Sequence, residues 1–168
     1  HILRDTLTAG RDRQPCVRWP GGEVRRYRDT LYAMSPLPPH DARRTYSWYS
    51  TTDGWQPLDL PNVGRLRLQE ATGSGLRADA LAGSLLKIGF RQGGERFQPS
   101  GRSHGQELKK LLQEVGIPPW KRDRLPLLHA DGKLLAVVGL GIAADQIVSA
   151  HETGWQPVLD PPSVAKLG

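Results

Sequence analysis

The pattern of apolar and polar positions changes period within residues 84–143. From residue 108 to 115, large apolar residues recur at i, i+3, i+4 and i+7, which predicts an amphipathic helix. These residues are Leu108, Leu111, Leu112 and Val115. Ser103 and Gln106 have the spacing of a capping box, so the predicted helix runs over 104–115, and Gly116 before two prolines ends it.

Strands are predicted on both sides of this helix. Residues 84–91 form one candidate, and residues 125–128 and 133–138 form two more, joined by Ala130-Asp131-Gly132. Asp-Gly between two apolar runs is a strong hairpin signal. Upstream, shorter candidates lie at 56–60 and 64–69. Trp48, Tyr49 and Trp55 are interpreted as wall or core aromatics rather than platforms for base stacking.

The first block, residues 1–35, predicts a helix that ends near Gly10, followed by a β-meander. In the meander, Cys16-Val17-Arg18-Trp19 faces Val24-Arg25-Arg26-Tyr27 across Pro20-Gly21-Gly22, and a third strand covers 30–34. A helix end and three short strands cannot bury a core alone. The block is therefore expected to complete a domain that begins upstream, and the chain to be a fragment.

These elements predict an α+β fold. The expected order is a truncated helix and β-meander remnant (1–35), a proline-rich linker (36–47), a small mixed sheet domain with one main packed helix (48–156), and a loose tail (157–168). The G-x-G-x-x-A pattern at 139–144 matches a dinucleotide fingerprint, but the prolines that follow it leave no room for a βαβ unit. Glycines that let a strand bend explain it better.

Charge is concentrated in one segment. The whole chain carries a net charge of +6 and a sequence pI near 9.8. Residues 84–128 hold nine cations and four acids, a net +5, which favours a polyanionic partner. A lone cysteine, Cys16, excludes an internal disulfide framework and a cysteine-based zinc site. No apolar run approaches the roughly 20 residues of a membrane span and no signal peptide opens the chain, so a cytoplasmic protein without a membrane partner is expected.

The predicted helix concentrates positive charge on its outer side. At 100° per residue, Lys109 and Lys110 lie off the apolar stripe and face solvent. The preceding loop is expected to bring Arg96, Arg102 and His104 close to the helix start, where free N–H groups and the dipole favour an anion. The alternative is a solvated face with Glu107–Lys110 and Lys110–Glu114 pairs.

Residues 85–142 resemble the C-terminal domain of the tRNA(Ile)-lysidine synthetase family. The resemblance is carried by Gly94-Glu95-Arg96-Phe97, Gly101-Arg102, Leu108 to Glu114, Gly116-Ile117-Pro118-Pro119-Trp120 and Arg122 to Leu128. A weaker similarity, in Val24-Arg25-Arg26-Tyr27-Arg28 and Leu31-Tyr32, is to the end of the family's middle, substrate-binding domain.

This resemblance implies a part in tRNA modification. The family joins lysine to the wobble cytidine of a minor isoleucine tRNA with ATP, and its C-terminal domain is placed on the acceptor stem. Its members are often dimers, although the oligomeric state of this chain stays open. The family's Ser-Gly-Gly-x-Asp-Ser loop has no counterpart here, so the chain is expected to hold no catalytic residue, cofactor or metal, with ATP and lysine used by an absent domain. Relatives often have arginine in place of Gln106, which puts one phosphate contact in doubt.

The resulting hypothesis is that this segment grips duplex RNA through its phosphates. Cations on a rigid scaffold suit a duplex whose base edges are hidden in a narrow groove. The predicted RNA-binding residues are Arg91, Arg96, Arg102, His104, Lys109, Lys110, Lys121, Arg122 and Arg124. For Arg122 and Arg124, pairing with Asp123 is the alternative, and Trp120 is expected to be a core anchor. A small hydrolase using Ser103 and His104, or a basic protein-interaction module, are the competing functions.

Overall fold

The computed structural model describes residues 16–83 and 85–162, in two compact units. The boundary between the units falls at Pro39 and His40, inside the interval predicted as a linker. The second unit includes residues from that interval, because His40 Nε2 lies 2.6 Å from the carbonyl oxygen of Asp123 and the His40 ring packs edge-on against Phe90. The predicted helix before Gly10 lies outside the described residues.

The first unit contains the predicted meander. Strands β1 (Cys16–Trp19), β2 (Gly22–Tyr27) and β3 (Thr30–Met34) pair antiparallel in chain order. Pro20-Gly21 forms the first turn, with Gly21 at a φ of 84°, so β2 begins two residues earlier than predicted. The carboxylate of Glu23 is fully buried and accepts hydrogen bonds from Arg18 Nε and Arg25 Nε, each at 2.9 Å.

The second unit is built on a six-stranded antiparallel sheet. Its strands lie in the order β13-β12-β11-β8-β4-β5. Their bounds are β4 (Tyr46–Thr51), β5 (Gly54–Trp55), β8 (Leu85–Gly89), β11 (Leu127–Ala130), β12 (Lys133–Val137) and β13 (Gly141–Ile142). The predicted Asp131-Gly132 turn joins β11 to β12, with both residues at positive φ, as a two-residue hairpin requires.

A three-stranded antiparallel sheet covers one face of the six-stranded sheet. It consists of β6 (Leu58–Leu60), β7 (Gly64–Thr72) and β14 (Thr153–Asp160), in the order β14-β7-β6. A 3-10 helix (Ala78–Leu81) follows β7. Trp48, Leu86, Ile88 and Leu128 on the larger sheet pack with Leu66 on the smaller, forming the main core.

The prediction of a loose tail from Pro157 is wrong as far as Asp160. Strand β14 pairs with β7 along its whole length, with Pro157 opposite Leu68. Trp155 donates its N–H to Leu76, on the side away from β7. Residues two apart in a strand present their nitrogens to the same side, so the missing N–H of Pro157 costs the β7 ladder nothing.

The opposite, outer face of the six-stranded sheet carries the helices. Helix α1 (Leu108–Val115) buries its leucines against Leu127 and Val137, and Phe97 joins this second core. A short hairpin of β9 (Arg96–Phe97) and β10 (Gln106–Glu107) leads into α1, and helix α2 (Pro119–Arg122) follows. The α+β prediction, a sheet domain with one main packed helix, is confirmed.

The two ends of α1 differ in how well they were predicted. Gly116 adopts the left-handed conformation at a φ of 87°, and Ile117 N–H bonds to the Leu112 carbonyl, as a Schellman end requires. The capping box is wrong. Residues 106–107 pair with β9 instead, Glu107 is the N-cap without a side-chain bond, and Ser103 lies exposed in a bend. Pairing with β9, and the bond from Leu108 N–H to the Glu95 carbonyl, satisfy backbone groups at the helix start that a side-chain cap would otherwise bond.

The aromatic residues divide between core and surface. Trp48 is buried, donates its indole N–H to the Gln56 carbonyl at 2.7 Å and packs edge-on against Trp55. Tyr49 is 59% exposed, so of the two predicted roles, wall or core aromatic, the core role is wrong for this residue. Successive residues of β4 point to opposite faces, so the burial of Trp48 directs Tyr49 outward. Trp120 lies half-buried on α2.

Truncation at the two ends of the apolar stripe should have unequal effects. Leu111 is fully buried, whereas Val115, which the pattern placed on the same stripe, is 51% exposed at the last turn. We expect Leu111→Ala to lower the free energy of unfolding by about 2–5 kcal/mol, and Val115→Ala by roughly 0.5 kcal/mol or less. Urea denaturation followed by tryptophan fluorescence measures both. Equal losses would show that α1 does not pack as described.

Candidate nucleic-acid interface

The hairpin before α1 is fixed at both of its strands. Leu108 N–H, the first of the helix, donates to the Glu95 carbonyl at 2.8 Å, which ties α1 to the start of β9. Along the loop, Ser100 N–H donates to Ile142 and Ala144 N–H donates to Gln98, at 2.8 and 2.9 Å. The side chains presented by this hairpin therefore project from an anchored backbone.

The outer surface of α1 carries two exposed lysines. Lys109 lies beside the buried leucines and Lys110 lies on the opposite side of the helix, as the helical pattern predicts. Within residues 16–83 and 85–162, neither ammonium group makes a hydrogen bond or an ion pair. The alternative pairs Glu107–Lys110 and Lys110–Glu114 are not formed.

The hairpin adds three more of the predicted residues. Arg96 is exposed on β9 opposite Glu107, and its Nη2 donates to the Gly105 carbonyl at 3.2 Å. His104 is exposed in the bend before β10. Together with Lys109, Lys110 and Arg102, these residues are called the first cation cluster here.

Arg102 makes a contact that the sequence did not predict. Its Nη1 donates to Oε2 of Glu114, on α1, at 3.0 Å. Gln106 Nε2 donates to the same oxygen at 3.2 Å. The amide of Gln106 thus helps hold the carboxylate of Glu114. Sequence spacing gave no sign of this contact, because twelve residues separate Arg102 from Glu114.

The second cation cluster is Lys121, Arg122 and Arg124, on and after α2. Lys121 is exposed, while Arg122 is half-buried and its Nε donates to the Ile117 carbonyl at 2.8 Å. That bond holds α2 against the connection from α1. Pairing of Arg122 or Arg124 with Asp123 stays a prediction.

Arg91 has a different position from the other predicted residues. Its Nη2 pairs with Asp123 Oδ1 at 2.9 Å, and its side chain is only 20% exposed. Asp123 also offers its carbonyl to His40. Arg91 therefore links β8 to the segment after α2 and presents little of its guanidinium to solvent.

The acidic residues of this region are mostly engaged. Glu114 and Asp123 pair with Arg102 and Arg91, and the Glu95 carboxylate accepts N–H bonds from Gln92 and Gly93. Glu107 is exposed and has no such partner among the described residues. The lysines of both clusters thus keep their charge toward solvent, on one connected segment from β9 to α2. That arrangement suits recognition of phosphate groups by several cations.

The structure does not support a dinucleotide site or a hydrolase that uses Ser103 and His104. The glycine pattern at 139–144 lies in and after the antiparallel hairpin of β12 and β13, and not in the βαβ unit that a dinucleotide site of this type requires. Ser103 and His104 are exposed, and Asp123 pairs with Arg91 rather than with either. Among the described residues, no group of His, Cys, Asp or Glu could hold a metal ion. No helix in that part of the chain is long and apolar enough to cross a membrane.

Comparison with protein-family models gives two matches. The model of the TilS substrate C-terminal domain matches residues 86–159, which include both cation clusters. The model of the TilS substrate binding domain matches residues 1–32.

Similar proteins carry one name. A tRNA(Ile)-lysidine synthase of Coxiella burnetii is 38% identical over 162 residues, covering 96% of this chain and 35% of that protein. The tRNA(Ile)-lysidine synthase of Methylococcus capsulatus is 36% identical over 151 residues, which cover 90% of this chain and 34% of that protein. That of Xanthomonas campestris is 41% identical over 158 residues, with coverages of 92% and 32%. The chain thus spans about a third of the length of the curated relatives it matches.

A solved structure shares the fold. The crystal structure of a TILS C-terminal domain superposes with a TM-score of 0.51 at 23% sequence identity, covering 69% of this chain and 98% of that one. The matches to the two family models and to the tRNA(Ile)-lysidine synthases agree with the resemblance noted in the sequence, and the solved structure, at 23% identity, supports the fold alone.

Proposed function

We propose that this chain binds tRNA, with the first and second cation clusters placed against the phosphates of a duplex stem. The observation that carries the proposal is the pair of lysines on α1, exposed and without an internal ion pair among the described residues. The name shared by the relatives, tRNA(Ile)-lysidine synthase, supports tRNA as the polyanion. By the same resemblance, the stem is the acceptor stem of a minor isoleucine tRNA.

A duplex RNA stem requires this kind of surface. Its base edges lie in a deep, narrow groove, so a protein contacts mainly phosphates, 2′-hydroxyl groups and the overall shape. Lys109 and Lys110 supply point charges. Arg96 supplies a guanidinium that keeps free donors, because it bonds only the Gly105 carbonyl among the described residues. Lys121 extends the charge beyond the end of α1. Arg91 serves as a scaffold residue, because its guanidinium is already used by Asp123.

The reaction belongs to the larger proteins of which this chain spans about a third. We infer that in the parent protein a separate domain uses ATP to join lysine to the wobble cytidine, while these residues hold the tRNA in the cytoplasm. No residue of this chain is assigned a catalytic role. A basic protein-interaction module is the second candidate, and salt separates the two, since binding by phosphate contacts weakens steeply as salt rises.

Glu114 has an indirect role in this proposal. One oxygen of its carboxylate, Oε2, accepts a hydrogen bond from Nη1 of Arg102. The other donors of that guanidinium remain available. Restraining a long side chain before binding removes an ordering cost of about 0.5–1.5 kcal/mol. Glu114 therefore positions Arg102 for a phosphate, although its own charge opposes the phosphate.

Removing the two lysines of α1 should weaken RNA binding. We expect Lys109→Ala/Lys110→Ala to reduce affinity for an RNA hairpin roughly 10-fold at low salt, and to lower the slope of log K against log salt by about 2. Fluorescence anisotropy titrations over a series of salt concentrations measure both. The control is Arg65→Ala/Lys133→Ala, which removes equal charge from residues already paired with Asp59 and Asp145. If the control loses as much affinity as the α1 variant, net charge rather than this surface accounts for binding.

Replacing two acidic residues, Glu107 and Glu114, by alanine should change the affinity for RNA in opposite directions. Glu107→Ala removes an exposed negative charge that bonds no other described side chain, so RNA binding should tighten by about 2-fold. Glu114→Ala removes a charge as well but releases Arg102, so binding should weaken by about 3-fold. Glu114→Gln, which keeps an acceptor for Arg102, should restore it. Tighter binding by Glu114→Ala would assign Glu114 a purely repulsive effect.

A further inference from the structure

Within the described part of the second unit, helices cover only one half of the outer face of the six-stranded sheet. Helix α1 packs on β11 and β12 through Leu127 and Val137. On β8 and β4, the outward positions remain open: Leu85 is 40% exposed, Lys87 is exposed, and Tyr49 is 59% exposed. Strand register places Tyr49 directly opposite Leu85, and Lys87 opposite His129 of β11. Directly opposed residues share a face, so these four side chains lie on the same side as α1.

This open half contains a cavity of about 790 Å³. Its lining includes Leu85, Lys87, His129, Arg43 and the Asp131-Gly132 turn. Tyr49 is not part of this lining but lies next to it, directly opposite Leu85. A volume of this size is sufficient for a small organic group such as a nucleotide.

The cavity adjoins the first cation cluster. Glu95 lines the cavity, its carbonyl accepts the first N–H of α1, and Arg96 is the next residue. Strands in a sheet lie about 4.8 Å apart, so β8 is within about 10 Å of the strands under α1. A polynucleotide bound on α1 can therefore extend into the cavity by one or two nucleotides.

The chemistry of the open half suits an unpaired nucleotide. Tyr49 and Leu85 offer an aromatic and an apolar surface on which a base can lie. Lys87 has no ion pair among the described residues and can meet a phosphate. Of the three acids in the lining, Asp79 pairs with Arg77 at 3.1 Å and Glu95 bonds backbone N–H groups, while Asp131 is exposed in the β11–β12 turn. Burial lowers the pKa of His129, so its neutral ring can donate and accept hydrogen bonds.

We propose that the open half of the outer sheet face binds an unpaired nucleotide of the same RNA whose duplex part lies on the cation clusters. The base lies on Tyr49 and Leu85, the phosphate meets Lys87, and His129 faces the polar edge of the base. This inference rests on the proposed function. The sequence favoured a wall or core role for Tyr49 over base stacking, and its strand register with Leu85 places it on this face.

The test compares two RNA hairpins with the same duplex, one blunt and one with a four-nucleotide 3′ overhang that contains 2-aminopurine. The chain should bind the overhang hairpin about 5-fold or more tightly than the blunt one, and the 2-aminopurine fluorescence should be quenched on binding. Tyr49→Ala and Lys87→Ala should each lose most of that gain while leaving the affinity for the blunt hairpin unchanged. Tyr49→Phe should retain it, and Lys133→Ala is the control for loss of one lysine. Thermal unfolding checks that each variant is folded.

Each other outcome has a definite meaning. If the overhang adds no affinity, or if the variants weaken blunt and overhang hairpins equally, the nucleotide site is refuted. The proposed function then still stands, provided that Lys109→Ala/Lys110→Ala weakens binding of the blunt hairpin. If wild-type chain binds neither hairpin at any salt concentration, the proposed function fails and this inference fails with it.

Discussion

The contact on which the interface depends is the burial of three leucines of α1 against β11 and β12. Leu108, Leu111 and Leu112 are each 1% exposed or less, and Leu127 and Val137 receive them. This packing fixes the rotation of the helix about its own axis. With the leucines inward, Lys109 and Lys110 have no direction available except outward. The hydrogen bond from Leu108 to Glu95 sets the position of the helix along the sheet, and with it the position of Arg96.

The cations of the region then fall into two kinds. Arg91 and Arg102 pair with Asp123 and Glu114 across long sequence separations, and so contribute to the rigidity of the surface as well as to its charge. The exposed lysines contribute charge without an internal partner among the described residues. Phosphate recognition needs both, because a diffuse positive surface attracts any polyanion whereas fixed charges at set separations select one shape. Under the proposed function, ordinary core packing therefore sets the positions of the charges that meet the RNA.

The sequence predicted those elements that depend on residues close together in the chain, such as a helix, its end and a tight turn. The leucine stripe and Gly116 gave the body and end of α1, and Asp131-Gly132 gave the β11–β12 turn. The capping box and the loose tail were wrong because their residues pair with other strands. Gln106 pairs with Phe97 instead of capping the helix, and Pro157 pairs with Leu68 in a strand where a tail was expected.

The candidate site shows the same division. The exposure of Lys109 and Lys110 followed from helical periodicity alone. The ion pair between Arg102 and Glu114 depends on how the hairpin folds back along α1, which no spacing specifies. Tyr49 was misassigned because alternation along β4 predicts which aromatic faces inward only once the register with β8 is known.

Chemical-shift mapping of the backbone amides of this chain with an RNA hairpin tests the central claim most directly. The perturbed signals should concentrate on β9, β10 and the exposed face of α1, with a second group around Lys121, and they should diminish together as salt is raised. Perturbations confined to the sheet formed by β6, β7 and β14, or insensitive to salt, would contradict the assignment of α1 as the center of the RNA-binding surface.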